Sequence, residues 1–169
     1  MSKQTVVTNS AQETKALGAS VAKNLGGVNV IALHGELGSG KTTLAQGLAA
    51  ALGIAKKIIS PTFIIVRSYE LESQKLKLKS QKHSPHSSYG EAGNSKVKSF
   101  ERKTFFHIDL YRISDQRDLE GLGIEEIINN PENIVVIEWA EKMGELLSEK
   151  KVDISFEYVD EKKRKITIK

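Results

Sequence analysis

The sequence predicts an α/β domain in which the central strands run parallel, helices flank the sheet and antiparallel strands extend its edges. Short apolar segments alternate along the chain with helical segments, an order that favours parallel strands joined by helices. The last segment, VDISFEYVDEKKRKITIK, alternates polar and apolar residues around a charged turn, as a terminal hairpin does. A chain of 169 residues fits a single domain, and we expect one over residues 1–169.

The N-terminal third predicts a strand, a helix, a second strand and a second helix. A short β-branched start at Thr5 to Val7 is followed by a helix that Ser10 can cap, with Glu13 completing a capping box. Gly26–Gly27 is predicted to end this helix. The apolar run VNVIALHG predicts a buried strand, and KTTLAQGLAAALG predicts the next helix, which Gly53 ends.

The remainder of the chain predicts further strands on either side of a segment at about residues 72–103 that has the composition of an insertion or linker. That segment is rich in Ser, Lys, Gly and Asn, which favours a flexible insertion between two antiparallel strands. After it, TFFHIDLYRI and NIVVIEWAE predict strands, and KMGELLSEK predicts a short helix. Between the two strands, DQRDLEGLGIEEIINN predicts a helical stretch with a bend at Gly121 and Gly123.

Composition and charge exclude several classes of protein. Without cysteine the chain has no disulfide framework, thiolate metal site or cysteine nucleophile. The four histidines show no tight ligand spacing, which argues against a structural zinc site. The net charge of +4 is modest and is typical of a solvated surface. No apolar run reaches the roughly 18 residues of a membrane span, and MSKQTVVTNS lacks a signal-peptide core, so we expect a cytoplasmic protein.

The segment HGELGSGKTT carries a phosphate-binding loop. Gly35, Gly40, Lys41 and Thr42 match the pattern Gly-x-x-x-x-Gly-Lys-Ser/Thr, and the loop lies between a predicted strand and a predicted helix. Glycines let backbone N–H groups face phosphate oxygens, and the helix adds its own free N–H groups. Lys41 can reach the β- and γ-phosphates, and the Thr42 hydroxyl can ligate Mg²⁺. The pattern therefore predicts a P-loop NTPase-like sheet that binds a nucleotide.

Two predicted strands end in a carboxylate, Asp109 in FFHIDLYR and Glu138 in NIVVIEWAE. The C-terminal ends of parallel strands lie at the same sheet edge as the loop. Glu138 follows the cleaner apolar run, so we favour Glu138 for Mg²⁺ and place Asp109 near the γ-phosphate, where it can orient water. The alternative for each is an acid that caps the next helix.

Three further residues near these motifs have open roles. Thr62, in SPTF, can sense the γ-phosphate as a switch threonine, although a simple Ser-Pro turn also explains the segment. Arg112 can supply positive charge to the transition state or pair with a surface acid. Trp139 follows Glu138 and by strand alternation faces away from it, which predicts a packing role.

The segments GELGSGKTT, SPTF, HIDLYR and IEWAE, in that order, resemble the TsaE (YjeE) family over nearly the whole chain apart from about 72–103. The resemblance implies a bacterial P-loop ATPase that uses ATP and Mg²⁺. It also implies work with the TsaD and TsaB proteins, which transfer threonylcarbamoyl to adenosine 37 of tRNA. The ATPase would support repeated turnover of that transferase without modifying the base, and would meet tRNA only indirectly through the complex.

The resemblance also implies roles for individual residues. Thr42 and Glu138 would hold Mg²⁺, Asp109 would be needed for hydrolysis, and Thr62 would lie in a switch-like loop. The phosphates would be bound by the loop residues Gly38, Ser39, Gly40, Lys41, Thr42 and Thr43. The base and ribose would lie beside Ser10, Thr14 and Arg164.

Two other functions remain open on the sequence. A P-loop small-molecule or nucleoside kinase shares the same loop, but its lid is usually rich in arginine, and the insertion at 72–103 contains only Arg102. A nucleotide-gated binding protein with negligible hydrolysis is the other, and the presence of both Asp109 and Glu138 argues against it. Because no second catalytic arginine is evident, we expect slow ATP hydrolysis by the isolated chain, with partners completing the site.

Overall fold

The computed structural model describes residues 3–71 and 104–169, which form a mixed seven-stranded sheet with helices on both faces. The strands are β1 Gln4–Thr8, β2 Val30–His34, β3 Val66–Glu70, β4 Thr104–Asp109, β5 Asn133–Glu138, β6 Val152–Tyr158 and β7 Arg164–Ile168. The α-helices are α1 Ala11–Lys23, α2 Lys41–Ala51 and α3 Ile124–Asn129, with 3₁₀ helices at Gln116–Leu119 and Ala140–Leu146. The predicted insertion at about 72–103 lies outside the described residues.

The strand order is β1-β7-β6-β2-β5-β4-β3. The four central strands, β6, β2, β5 and β4, are parallel. Antiparallel pairs extend both edges: β7 pairs with β6 and β1 pairs with β7 at one edge, and β3 pairs with β4 at the other. This arrangement confirms the predicted class. It also explains why β2 and β5 are almost wholly apolar, because parallel strands at the centre of such a sheet are covered on both faces.

Successive residues of β2 divide between two core layers. Ile31 and Leu33 pack on the face that α1 and α2 cover, together with Leu44 of α2. Val30 and Ala32 pack on the opposite face, where α3 and the second 3₁₀ helix lie. The period of two along the strand therefore supplies both layers.

Helices α1 and α2 pack unusually closely, and two glycines permit it. A Cβ atom built on Gly18 would lie 2.2 Å from the carbonyl oxygen of Leu44, and one built on Gly47 would lie 1.9 Å from that of Lys15. Only hydrogen fits at either contact. The glycines thus fix the position of α2, the helix that follows the predicted phosphate loop.

Several local predictions differ from the structure. Helix α1 ends at Lys23 with Asn24 as its C-cap, before the glycine pair that was predicted to end it. Ser10 caps α1 by accepting from the Glu13 amide, as predicted. The Glu13 carboxylate accepts from the amide of Asn9, whereas a capping box would have it accept from the amide of Ser10. The helix predicted at KMGELLSEK is a 3₁₀ helix at Ala140–Leu146, interrupted at Gly144 by non-helical dihedral angles.

None of the helices in residues 3–71 and 104–169 combines the length and the apolar character needed to cross a bilayer.

Candidate nucleotide-binding site

The loop between β2 and α2 leaves the first turn of α2 open to a ligand. Gly40, the N-cap of α2, has φ 104°, a left-handed conformation that disfavours any side chain. It offers no side-chain cap, so the first amide groups of α2 keep their hydrogen-bonding capacity for an anion. At the other end of the loop, a Cβ on Gly35 would lie 2.7 Å from the carbonyl oxygen of Phe156. Both ends of the loop therefore require glycine, for different reasons.

Lys41 places its ammonium group inside this loop. Its Nζ donates to the carbonyl oxygens of Gly35 at 2.6 Å and Glu36 at 2.9 Å, and lies 4.0 Å from the centre of the Trp139 ring. Burial lowers the pKa of Lys41 below its ordinary value of 10.5, and the nearby carboxylates, Glu138 first, act in the opposite direction. The result is a buried cation held beside the loop by carbonyl oxygens.

Thr42 and Glu138 meet between the start of α2 and the end of β5. The Thr42 hydroxyl lies 2.8 Å from one carboxylate oxygen of Glu138 and 3.0 Å from the other, so it donates to this buried carboxylate. A hydroxyl that donates one hydrogen bond still has lone pairs to offer. Hydroxyl and carboxylate oxygens are the hard donors that Mg²⁺ takes, together with phosphate and water. The donor set therefore fits Mg²⁺.

Asp109 is the register neighbour of Glu138 on β4, and both carboxylates are buried. One oxygen of Asp109 accepts from the Thr62 hydroxyl at 2.6 Å and from the Ser60 hydroxyl. The other oxygen accepts from the Tyr111 amide at 2.9 Å. The structure thus brings the two predicted carboxylates together and ties Asp109 to the SPTF segment, with Ser60 as a partner that the sequence reasoning missed.

An open cleft of about 290 Å³ lies over these groups. Its walls include the predicted residues Gly38, Ser39, Gly40, Lys41, Thr42, Thr43, Thr62, Asp109 and Glu138. Leu37, Ser60, Tyr111 and Trp139 complete the lining, and none of these four was a predicted site residue. The size suits the phosphate part of a nucleotide, since pockets that enclose whole small ligands begin at roughly this volume.

The three residues assigned to the base and ribose do not line this cleft. The Ser10 hydroxyl is occupied as the cap of α1, and the Thr14 hydroxyl bonds Thr8 at 2.9 Å and the Ser10 carbonyl oxygen at 3.1 Å. Arg164 reaches the loop, where its guanidinium donates to the Gly38 carbonyl oxygen at 3.3 Å. Thr14 and Arg164 both approach Gly40, so they lie beside the loop, and their contact with a base stays a prediction.

Trp139 was predicted to face away from Glu138, and this is wrong. Its φ of 60° is left-handed, which breaks the strand alternation directly after β5. The ring lines the same cleft as Glu138 and packs against Tyr111, with 5.3 Å between ring centres. Arg112, by contrast, is exposed and stacks on the Phe63 ring at 4.3 Å. Left-handed backbone at a bulky residue is a signal that the sequence pattern does not carry.

A glycine loop between a parallel strand and a helix, a buried lysine at its end and two carboxylates at the neighbouring strand ends define a P-loop-like α/β protein. The family model described as "Threonylcarbamoyl adenosine biosynthesis protein TsaE" matches residues 8–83 and 92–166. The chain belongs to the TsaE family.

Individual relatives agree with this placement. A Treponema pallidum protein named "tRNA threonylcarbamoyladenosine biosynthesis protein TsaE" is 31% identical over 162 residues, which cover 96% of this chain and 97% of the relative. A Bacillus subtilis protein of the same name is 29% identical, covering 92% of this chain and 78% of the relative. The crystal structure of Bacillus subtilis YdiB shares the fold, with a TM-score of 0.61 at 23% identity over 98% of this chain and 84% of that one.

Proposed function

We propose that this chain binds ATP with Mg²⁺, hydrolyses ATP slowly on its own, and thereby supports the threonylcarbamoyl modification of adenosine in tRNA by a transferase made of TsaD and TsaB. The observation that carries the nucleotide part is the contact between Thr42 and Glu138 beside Lys41. This contact places the oxygen atoms of Thr42 and Glu138, which suit Mg²⁺, near the buried ammonium group of Lys41 at the open N-terminus of α2. Membership of the TsaE family carries the tRNA part.

Lys41 and the loop amides bind the phosphates in this proposal. The ammonium group now donates to two loop carbonyl oxygens, of Gly35 and Glu36. A phosphate oxygen is a stronger partner, because its negative charge attracts the ammonium group and a neutral carbonyl oxygen carries no such charge. Lys41 therefore exchanges at least one carbonyl for a phosphate oxygen, and its charge opposes the negative charge that develops during phosphoryl transfer.

Thr42 and Glu138 hold the metal in this proposal. Bound Mg²⁺ would neutralise phosphate charge and orient the terminal phosphate. Glu138 supplies negative charge, and the Thr42 hydroxyl donates to Glu138 while its oxygen keeps lone pairs free. The two residues come from different elements, so the metal site depends on α2 being seated correctly against β5.

Asp109 orients the attacking water in this proposal. Its two oxygens are occupied by the Tyr111 amide on one side and by the Ser60 and Thr62 hydroxyls on the other. The hydrogen bond from the Tyr111 amide fixes the carboxylate, and the two hydroxyls fill the oxygen that they share, so a water molecule can bind that oxygen only when a hydroxyl contact loosens. We expect slow hydrolysis by the isolated chain for this reason, and a partner that displaces the loop of Ser60 and Thr62 would accelerate it.

Reconstitution tests the whole proposal. The chain is mixed with TsaD, TsaB, tRNA, threonylcarbamoyl-adenylate and ATP, and modified tRNA is counted per transferase. The expected result is that more than one tRNA is modified per transferase only when this chain and ATP are both present. If the yield per transferase is the same without this chain, the proposed function is wrong.

A further inference from the structure

The buried side chain of His107 contacts the carboxylate of Glu138 on one face of the sheet. The residue is fully buried on β4, two positions before Asp109, and its Cα partner on β5 is Val136, two positions before Glu138. Because side chains two apart on a strand share a face, His107 and Glu138 lie on the same face of neighbouring strands. The Nε2 atom of His107 lies 2.8 Å from Oε1 of Glu138.

The chemistry of the two groups fixes the direction of this hydrogen bond. A carboxylate can only accept, so a neutral imidazole must carry its proton on Nε2 and donate it to Glu138. The other nitrogen, Nδ1, is buried and has no hydrogen-bond partner among residues 3–71 and 104–169. Within these residues the ring therefore makes one hydrogen bond with its two nitrogens, and that bond goes to the proposed metal ligand.

A histidine with one unpartnered nitrogen is a poor choice for packing alone. Burying a polar atom without a hydrogen bond costs free energy, and an apolar side chain at this position would avoid that cost. The bond between His107 and Glu138 is what offsets it. Positions that break a local packing rule in this way are expected where function requires them.

We infer that His107 is a positioning residue, whose Nε2–H holds the Glu138 carboxylate in the orientation that Thr42 and Mg²⁺ require. The inference rests on the proposed function, because it assigns a role toward the metal. Glu138 then accepts from two fixed donors, His107 inside the sheet and Thr42 at the cleft, so its carboxylate cannot rotate freely. Partners of this kind around metal ligands typically change metal affinity by about 10- to 100-fold when removed.

The test compares ATP dissociation constants measured by calorimetry in excess Mg²⁺ and in EDTA. For the wild-type chain, Mg²⁺ is expected to tighten ATP binding. In His107→Leu, the factor by which Mg²⁺ tightens ATP binding should be about tenfold smaller, and the ATP affinity in EDTA should be unchanged. His107→Gln, whose amide N–H can reach the position of Nε2, should restore most of the gain, whereas His107→Asn, whose amide is one bond shorter, should not.

A control variant separates a metal effect from a general core effect. The Tyr69 hydroxyl is also buried and unpartnered in the described part of the chain, and it lies on β3 next to β4. Tyr69→Phe removes a polar atom from the core without touching Glu138, and it should keep the full Mg²⁺ gain.

The outcomes separate this inference from the proposed function. If the wild-type chain shows a Mg²⁺ gain and His107→Leu shows the same gain, His107 has no positioning role and the inference alone is overturned. If the wild-type chain binds ATP equally in Mg²⁺ and in EDTA, the proposed metal site fails and the inference falls with it. Should His107→Leu not fold, the Gln and Asn variants decide, and equal gains in the two would overturn the inference.

Discussion

The Thr42 hydroxyl donates to the carboxylate of Glu138, with 2.8 and 3.0 Å between the hydroxyl oxygen and the two carboxylate oxygens. The contact spans 96 positions of sequence and joins the first turn of α2 to the end of β5. It ties the phosphate loop to the strand that lies directly beside β2 in the sheet. A change at either residue should therefore affect metal and nucleotide together.

Replacing Thr42 with Val removes the hydroxyl and keeps the shape of the side chain. We expect Thr42→Val to lose the Mg²⁺-dependent part of ATP affinity, by tenfold or more, because both the proposed metal ligand and a donor to Glu138 disappear. Thr42→Ser keeps the hydroxyl and should retain most of the gain. Calorimetry in Mg²⁺ and in EDTA measures both variants, and a Val variant with the wild-type gain would contradict the assignment of Thr42.

Replacing Asp109 with Asn removes the carboxylate charge that we propose orients the attacking water. We expect ATP hydrolysis to fall by about 10²-fold, while ATP affinity changes little, because proton-handling groups typically contribute 10²–10⁴ to rate. Phosphate release is measured with and without TsaD and TsaB. The matched control is Asp115→Asn, which alters an acid at a helix N-cap that does not line the cleft. Normal hydrolysis by the Asp109 variant would show that the assigned role is wrong.

The pKa of Lys41 predicts how ATP affinity depends on pH. Burial lowers this pKa in the free protein below 10.5, whereas bound phosphate would raise it by favouring the charged form. ATP binding should therefore weaken as the pH rises above the lowered pKa, by up to about tenfold per pH unit. Affinities measured across the alkaline range test this. Lys41→Ala should bind ATP more weakly throughout and should lack the alkaline decline, and a variant that declined like the wild type would exclude Lys41 as its source.

Gly47→Ala should destabilise the fold through the contact between α1 and α2. The added Cβ would lie 1.9 Å from the Lys15 carbonyl oxygen, so the two helices must separate. Overpacking of this kind typically costs about 1–3 kcal/mol in the free energy of unfolding. Ser20→Ala, at an exposed position of α1, serves as the control and should stay within about 0.5 kcal/mol of wild type. Denaturant unfolding measures both, and equal midpoints would show that the helices tolerate separation.

The sequence predicted those parts of the molecule that depend on local pattern. Apolar runs located β2 and β5, and the Gly-Lys-Thr spacing located the loop between β2 and α2. The proximity of Asp109 and Glu138 followed from one topological rule, since parallel strands end at the same sheet edge. Register then sets the two carboxylates side by side.

Features that depend on non-local contacts or unusual backbone were missed. Alternation failed at Trp139 because its left-handed φ turns the ring into the cleft. Helix α1 ends before Gly26, since the Asn24 amide bonds back to the Val21 carbonyl oxygen and closes the helix there. His107 lies two residues before Asp109, so strand alternation places both side chains on the same face of β4. Its contact with Glu138 could be predicted only from the pairing of β4 with β5, which the sequence alone does not give.

Phosphate release in the presence of TsaD, TsaB and tRNA tests the central claim most directly. Wild-type chain with ATP and Mg²⁺ should release free phosphate in amounts equal to the ADP formed. The release should be slow for the chain alone and faster with the partners, and Asp109→Asn should abolish the acceleration. ADP without free phosphate would mean that the phosphoryl group goes to another acceptor, as in a kinase, and no ADP at all would mean that the cleft does not hydrolyse ATP; either result would contradict the account.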